Sequence, residues 1–280
     1  MMVTMDSRRM CPHCRAFITD RDRICPYCNE PVGRRTVERS EGGPGLLAGF
    51  IPHARFNTVI ILLINFGLYV ATSLFAMNSG RGDAMNIDAQ TLYFFGAKYG
   101  PAIARGEWWR LVTAGFLHGG LIHILMNSWV LFDLGSQVEE VYGSSRMLVI
   151  YFVSTISGFY LSNLFHPGTP SVGASAALFG LLGAMIAILT KHRNSFTDAV
   201  RGQYLRWLIM LLVFSLFGNI DMLAHIGGLV GGFAIGWVAG DRRYEGSTTE
   251  KLWRVAAGCC IALTAVSFLK MYLWFMQLAD

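Results

Sequence analysis

The sequence predicts an all-α protein: a polytopic membrane helical bundle with a small metal-binding ribbon at its N-terminus. Three observations lead there. Of 280 residues, 53% are hydrophobic and 15% charged, against about 25% charged in a soluble domain. The apolar residues gather into long runs, each near the roughly 20 residues that cross a hydrocarbon core. Four of the six cysteines fall in two CxxC pairs within the polar N-terminal stretch. This composition excludes disorder, collagen-like and disulfide-framework chains. β-barrel spans would need strict alternation over about ten residues, and none alternates that way.

Taken in order, residues 1–39 are polar and cysteine-bearing and read as a ribbon-like segment. Residues 40–55 read as a linker, on Ser40-Glu41-Gly42-Gly43-Pro44-Gly45. Residues 56–240 hold six apolar spans, and 241–280 a loop and a seventh. The spans are expected near 56–77, 120–138, 147–165, 173–190, 204–220, 223–240 and 252–276. No signal-peptide core precedes the cysteines, so the first span is expected to direct its own insertion. The second span is the least apolar, because it holds His123, Asn127 and Asp133, the last with no assigned role. The fourth and sixth are rich in Gly and Ala, which lets helix backbones approach closely in lipid. The long loop 78–119 carries Tyr93, Phe94, Phe95, Tyr99, Trp108 and Trp109. It reads either as resting in the outer leaflet or as an ordinary folded loop.

Lysine and arginine set the expected orientation. Nine precede the first span, and the loops after the second, fourth and sixth spans add nine more to the same side. The opposite side holds only Arg81, Lys98, Arg105 and Arg110. The N-terminus is therefore expected in the cytoplasm and the C-terminus outside, with Lys270 snorkelling near the outer end of the last span. A bacterial inner membrane is the expected location.

Cys11-Pro-His-Cys14 and Cys25-Pro-Tyr-Cys28 place two thiolate pairs ten residues apart. Each pair can serve one metal, and two pairs close a tetrahedral site with no open position. A structural Zn²⁺ is the expected cofactor, with none for catalysis. Two disulfides, an iron or redox role, and His13 standing in for a cysteine are the alternatives; a cytoplasmic setting argues against disulfides. Cys259 and Cys260 read as packing residues.

Polar groups inside spans are costly and mark function by default. Gly173-Ala174-Ser175-Ala176 opens the fourth span and His225-Ile226-Gly227-Gly228 the sixth. Both spans enter from the same side, so Ser175 and His225 sit at matched depth. Gly228 and Gly232 share the His225 face and allow close approach to a neighbour. If that neighbour is the fourth span, His225 can act as general base to Ser175. His123 and Asn127, at i and i+4, can donate to a developing oxyanion together with the Ser175 amide. Phe179, four residues after Ser175, can stack on the His225 ring. With no carboxylate in an obvious third position, a dyad is expected rather than a triad. A zinc site from His118 and His123 lacks the HExxH pattern. Trp109-Arg110 would anchor the loop, and Glu139 would cap or bridge to a loop.

Together these motifs resemble the rhomboid intramembrane serine proteases, over roughly residues 50–277. The resemblance implies a six-helix core, Ser175 as nucleophile and His225 as base, His123 and Asn127 as oxyanion residues, and His118, Gly173 and Phe179 as supports of the active-site cavity. It implies cleavage of transmembrane protein substrates near the outer face through an acyl-enzyme. Two features depart from the commonest pattern: Ala176 stands where Gly usually follows the serine, and a seventh span and a ribbon flank the core. A cytoplasmic protein partner at the ribbon and the lipid bilayer itself are the other expected partners; nucleic acid is not. The alternative is a catalytically inactive rhomboid-like module that binds membrane proteins. A transporter would show inverted repeats, and a zinc adaptor with a plain anchor would not gather polar residues at one depth.

Overall fold

Helices form where the apolar runs lie. The computed structural model describes residues 8–11, 13–19, 22–32, 55–214, 220–240 and 247–279. The expected linker therefore lies outside the described residues, except for Arg55. The chain divides into two units, Met1–Gly49 and Phe50–Asp280.

In the first unit β1 (Arg8–Met10) pairs antiparallel with β2 (Phe17–Thr19). The second unit begins with α1 (Phe56–Asn78). Short helices α2 (Ala89–Phe94), α3 (Gly100–Ala104) and α4 (Arg110–Thr113) follow. The next run starts as α5 (Leu121–Val130), widens into a π-turn at Leu131–Gly135 and ends as α6 (Ser136–Tyr142). Then come α7 (Ser144–Phe165), α8 (Ser175–Lys191), α9 (Ser195–Phe214), α10 (Met222–Ala239) and α11 (Thr248–Ala279). By length and composition α1, α7, α10 and α11 can each cross a membrane. The run Leu121–Tyr142 qualifies together with Arg110–Phe116, from which it is bent by 90°. The protein is a multi-pass integral membrane protein, and its described residues are predominantly helical.

The fifth span departs most from its expected bounds. It was expected near 204–220, yet α9 begins at Ser195, and residues 215–219 are not among those described. Asn194 and Thr197 explain the early start. The Thr197 amide donates to Asn194 Oδ1 at 2.9 Å and the Asn194 amide to Thr197 Oγ1 at 2.8 Å, a reciprocal cap. The first turns then carry Asp198 and Arg201, paired at 3.1 Å. An apolar window finds the lipid-facing length of a helix and misses a polar beginning.

Helix α8 has 17 residues, short for a span, and Ala176–Ile188 are buried throughout. Its neighbours α7 and α10 enclose it closely because their contact faces carry glycine. A Cβ on Gly228 would lie 2.0 Å from the Ala176 carbonyl oxygen, and one on Gly232 2.1 Å from that of Gly180. A Cβ on Gly236 would lie 2.7 Å from Ala184 Cα. Each helix thus offers a small residue every fourth position, and the two rows interlock. On another face of α10, a Cβ on Gly227 would meet the Ser157 carbonyl of α7 at 2.6 Å.

Buried polar contacts fix the ends. Arg55 supplies no side-chain cap to α1. Instead Glu139 of α6, 3% exposed, accepts the Asn57 and Thr58 amides at 3.1 Å each and the Thr58 and Ser144 hydroxyls at 3.0 Å. Of the two roles expected for Glu139, capping or bridging to a loop, capping is the one the structure displays. Helix α11 is held near both ends. Arg146 of α7 forms a two-pronged bond with Glu250 at 2.7 Å per prong. Farther along, Trp274 lies against Trp109 and Tyr93, and Phe275 against Phe75. Arg110 sits among the Tyr93, Trp109 and Trp274 rings at 4.1, 4.6 and 4.7 Å. The loop 78–119 is therefore a folded element packed on α11.

Candidate active site

Ser175 is the first residue of α8, and His225 lies in the first turn of α10. The glycine register between the two helices brings them together: His225 Nε2 is 2.8 Å from Ser175 Oγ. Phe179, one turn below Ser175, stacks nearly parallel on the imidazole, with centroids 4.2 Å apart at 15°. That contact holds the ring plane toward the hydroxyl.

Gly173 has φ +134°, a conformation that L side chains rarely adopt. A Cβ there would lie 2.8 Å from His123 Nε2 and 3.5 Å from Ser175 Oγ, so the bare glycine leaves the space where these groups converge. Its amide donates to the Ala114 carbonyl at 2.9 Å, fixing the turn into α8. His123 Nδ1 accepts the Gly119 amide at 3.4 Å. A neutral ring that accepts at Nδ1 carries its proton on Nε2, the nitrogen nearest Gly173. Asn127 Nδ2 is buried with no hydrogen-bond partner among the described residues, a donor one turn further along α5. His118 is fully buried and meets His123 edge-on at 5.1 Å. Helix geometry leaves the first amides of α8, including that of Ser175, without intrahelical acceptors. His123 Nε2 and the Ser175–His225 pair thus converge on the space beside Gly173.

Ala176 is 1% exposed. A Cβ on Gly158 of α7 would lie 2.7 Å from the Ala176 Cβ. The methyl after the serine therefore fits because α7 has no side chain opposite it.

Sequence reasoning missed two residues beside this site. Asp221 caps α10: its Oδ1 accepts the Ala224 amide at 3.1 Å, its Oδ2 accepts the Ser162 hydroxyl of α7, and the Ser171 hydroxyl also faces it. Burial opposes its ionisation, but those bonds and the Lys98 charge hold its carboxyl below the usual range. An Asp just before a helix is an N-cap signal readable in the sequence. Lys98, counted there only as a surface charge, is fully buried. Burial draws its ammonium below the usual range, against the pull of Asp221.

In the first unit, the sulfur atoms of Cys11, Cys14, Cys25 and Cys28 all lie within 4.8 Å of one another. Cys11 and Cys28 are 3.7 Å apart, and Cys14 and Cys25 3.6 Å. Sulfurs at about 2.3 Å around a tetrahedral metal would be about 3.8 Å apart. The two knuckles repeat each other. Cys11 and Cys25 donate their amides to the Ala16 and Glu30 carbonyls at 2.8 Å, and Arg15 and Asn29 take the same left-handed conformation. The thiols are poised unequally. Burial raises Cys11, but the Cys14 and His13 amides and neighbouring thiols bring it down to about 6. Cys28 is favoured by the Glu30 amide, yet burial and the other three sulfurs push it up to about 12. Four thiolates this close need a cation, so the donor set fits a metal.

The sequence profile of the rhomboid domain matches residues 105–242. Rhomboid-like protease 1 of Toxoplasma gondii is 32% identical over 263 residues, 88% of each chain. Rhomboid-like protease 2 of the same organism is 33% identical, covering 78% of this chain and 76% of its own. The chain belongs to the rhomboid family. Rhomboid protease GluP of Bacillus subtilis is 43% identical over 147 residues, 52% of this chain; the chain spans 29% of that protein's length. The rhomboids named in these matches are proteases, and the family is one of intramembrane serine proteases. The matched rhomboid domain includes His123, Asn127, Ser175 and His225; the four cysteines and α11 lie outside it.

Proposed function

We propose that the chain is an endopeptidase that cleaves transmembrane protein substrates through a Ser175–His225 dyad. The observation that carries this reading is the 2.8 Å contact between Ser175 Oγ and His225 Nε2, within the reach of a nucleophile and its base. Ser175 Oγ attacks the scissile carbonyl as His225 Nε2 takes its proton. The oxyanion forms where His123 Nε2–H, Asn127 Nδ2–H and the Ser175 amide converge. His225 then returns the proton to the leaving amine, and water, activated by the same histidine, hydrolyses the acyl-enzyme. His118 and Gly173 shape the cavity, and Phe179 keeps the imidazole aligned. No cofactor enters this chemistry.

The charge distribution supports an N-terminus in the cytoplasm, a C-terminus outside and a site near the outer face; the membrane proposed is a bacterial inner membrane. The four cysteines support structural Zn²⁺ bound as thiolates. Such a metal crosslinks the two knuckles of a segment whose apolar cluster holds only Ile18 and Val32 beside the cysteines, leaving its surface for a cytoplasmic protein partner.

The test is labelling with a fluorophosphonate probe on purified wild type, Ser175→Ala and His225→Ala. Labelling of the wild type alone is expected. Equal labelling of Ser175→Ala, or none of a folded wild type that also fails to cleave a transmembrane reporter, overturns the dyad.

A further inference from the structure

The dyad joins two separately anchored pieces of chain: the segment 166–174 that leads into Ser175, and the start of α10 that carries His225. Neither piece is held by the Ser175–His225 contact itself. The leading segment is tied to Lys98. Lys98 and Ser171 exchange backbone hydrogen bonds at 3.0 Å in each direction. The Lys98 ammonium donates to the His166 and Thr169 carbonyls at 2.9 and 2.8 Å. Gly100 adds an amide bond to the Pro167 carbonyl at 2.8 Å. The start of α10 is tied to Asp221, whose carboxylate receives the Ala224 amide and the Ser162 hydroxyl. Ser171 belongs to both sets, through its backbone to Lys98 and its hydroxyl toward Asp221.

Lys98 and Ser162 are at 0% exposure and Ser171 at 9%, and Asp221 is half-buried. A buried charge of either sign is costly alone. Here a cation and an anion both engage one serine, each satisfied by hydrogen bonds. The cationic side holds the nucleophile's approach and the anionic side holds the base helix, one turn before His225.

We propose that Asp221 and Lys98 are a pair of positioning residues that set the Ser175–His225 distance by clamping the two pieces of chain to Ser171. This rests on the dyad reading above. Asp221 touches neither substrate nor reacting atoms and acts through the start of α10; Lys98 acts through the segment before Ser175. A small loss of alignment at a nucleophile–base contact is felt in the chemical step and little in binding.

The experiment compares full-length wild type, Asp221→Asn, Lys98→Met and the double variant in detergent. It follows fluorophosphonate labelling of Ser175 over a range of probe concentrations, with Ser175→Ala as the blank. Asp221→Asn keeps an oxygen for the Ala224 amide, so it tests the charge rather than the cap. Each single variant should lower the maximal labelling rate about ten-fold, with the half-saturating concentration within about two-fold of wild type. The double variant should be no slower than the slower single one, because removing both charges leaves neither uncompensated. A maximal rate within about two-fold of wild type in either single variant overturns the proposal. So does a double variant whose loss is the product of the two single losses. Should Asp221→Asn fail to fold, Ser162→Ala removes one donor to the same carboxylate and should slow labelling about three-fold at unchanged half-saturation; an unchanged rate there also overturns the proposal. A wild type that is not labelled strikes at the dyad, which keeps the two failures apart.

Discussion

The helical run Leu121–Tyr142 carries buried polar groups at both ends, and the two ends are treated differently. At the far end Glu139 has all its capacity in use, accepting two amides and two hydroxyls from α1 and Ser144. At the end beside Ser175, Asn127 Nδ2 has no partner among the described residues, and His123 accepts the Gly119 amide at Nδ1, which leaves the proton of a neutral ring on Nε2. A saturated buried polar group stabilises the fold. Donors left unspent inside a membrane protein destabilise it unless something arrives to use them, and an oxyanion is such a guest. The π-turn at Leu131–Gly135 separates the two ends.

The comparison can be broken most sharply at the dyad. Ser175→Ala and His225→Ala should each lower cleavage of a transmembrane reporter by at least about 10³-fold. The thermal midpoint of Ser175→Ala should stay near wild type, because only a hydroxyl oxygen is removed, whereas His225→Ala also loses its stacking on Phe179. Cleavage by Ser175→Ala at a normal rate would place the chemistry elsewhere.

Asn127→Ala comes next, at about 10²-fold in kcat with little change in KM. Its unfolding midpoint should hardly move, since no native hydrogen bond of Nδ2 is lost. A large drop in stability with an unchanged kcat would recast Asn127 as helix glue and erase the contrast with Glu139.

Glu139→Ala should behave in the opposite way. It strands the Asn57 and Thr58 amides, at a cost of about 1–3 kcal/mol for each unsatisfied group. The midpoint should fall by several degrees, while kcat per folded molecule stays within about two-fold. Loss of kcat without loss of stability would show that the far end couples to the site.

The smallest effect on chemistry is expected in the ribbon. Cys14→Ser should lose bound zinc by elemental analysis, yet retain protease activity in detergent within about two-fold, because a structural metal acts on the fold around its own ligands. Activity lost together with the metal, in a protein whose membrane helices remain folded, would make the ribbon part of the enzyme.

Much of this was legible in the chain. Seven apolar runs gave the helices, and the weakness lay at boundaries: α9 starts early because Asn194 and Thr197 cap it and its first turns are polar. Ser175, His225 and Phe179 were readable because steps of four place them on helix faces, and small residues at Ala176, Gly180, Gly228 and Gly232 announce a close crossing. The cysteine cluster was readable from spacing alone, although the repeated conformation at Arg15 and Asn29 was not. Lys98 and Asp221 escaped, since a lone Lys in a loop and a lone Asp before a helix are ordinary surface features in sequence. Only burial and shared contact with Ser171 set them apart.

By itself the sequence determined the apolar length of the spans, the matched depth of a serine and a histidine, and four thiols at metal-binding spacing. These are local properties, fixed by residue type and period. The tertiary structure decided the 2.8 Å approach of His225 to Ser175, the proton on His123 Nε2, the partner of Glu139, and the placement of Trp274 from α11 over Arg110. Each of those depends on groups far apart in the chain, and a distance across a packed interface is set by which side chains are absent from it, as at Gly158, Gly228 and Gly232.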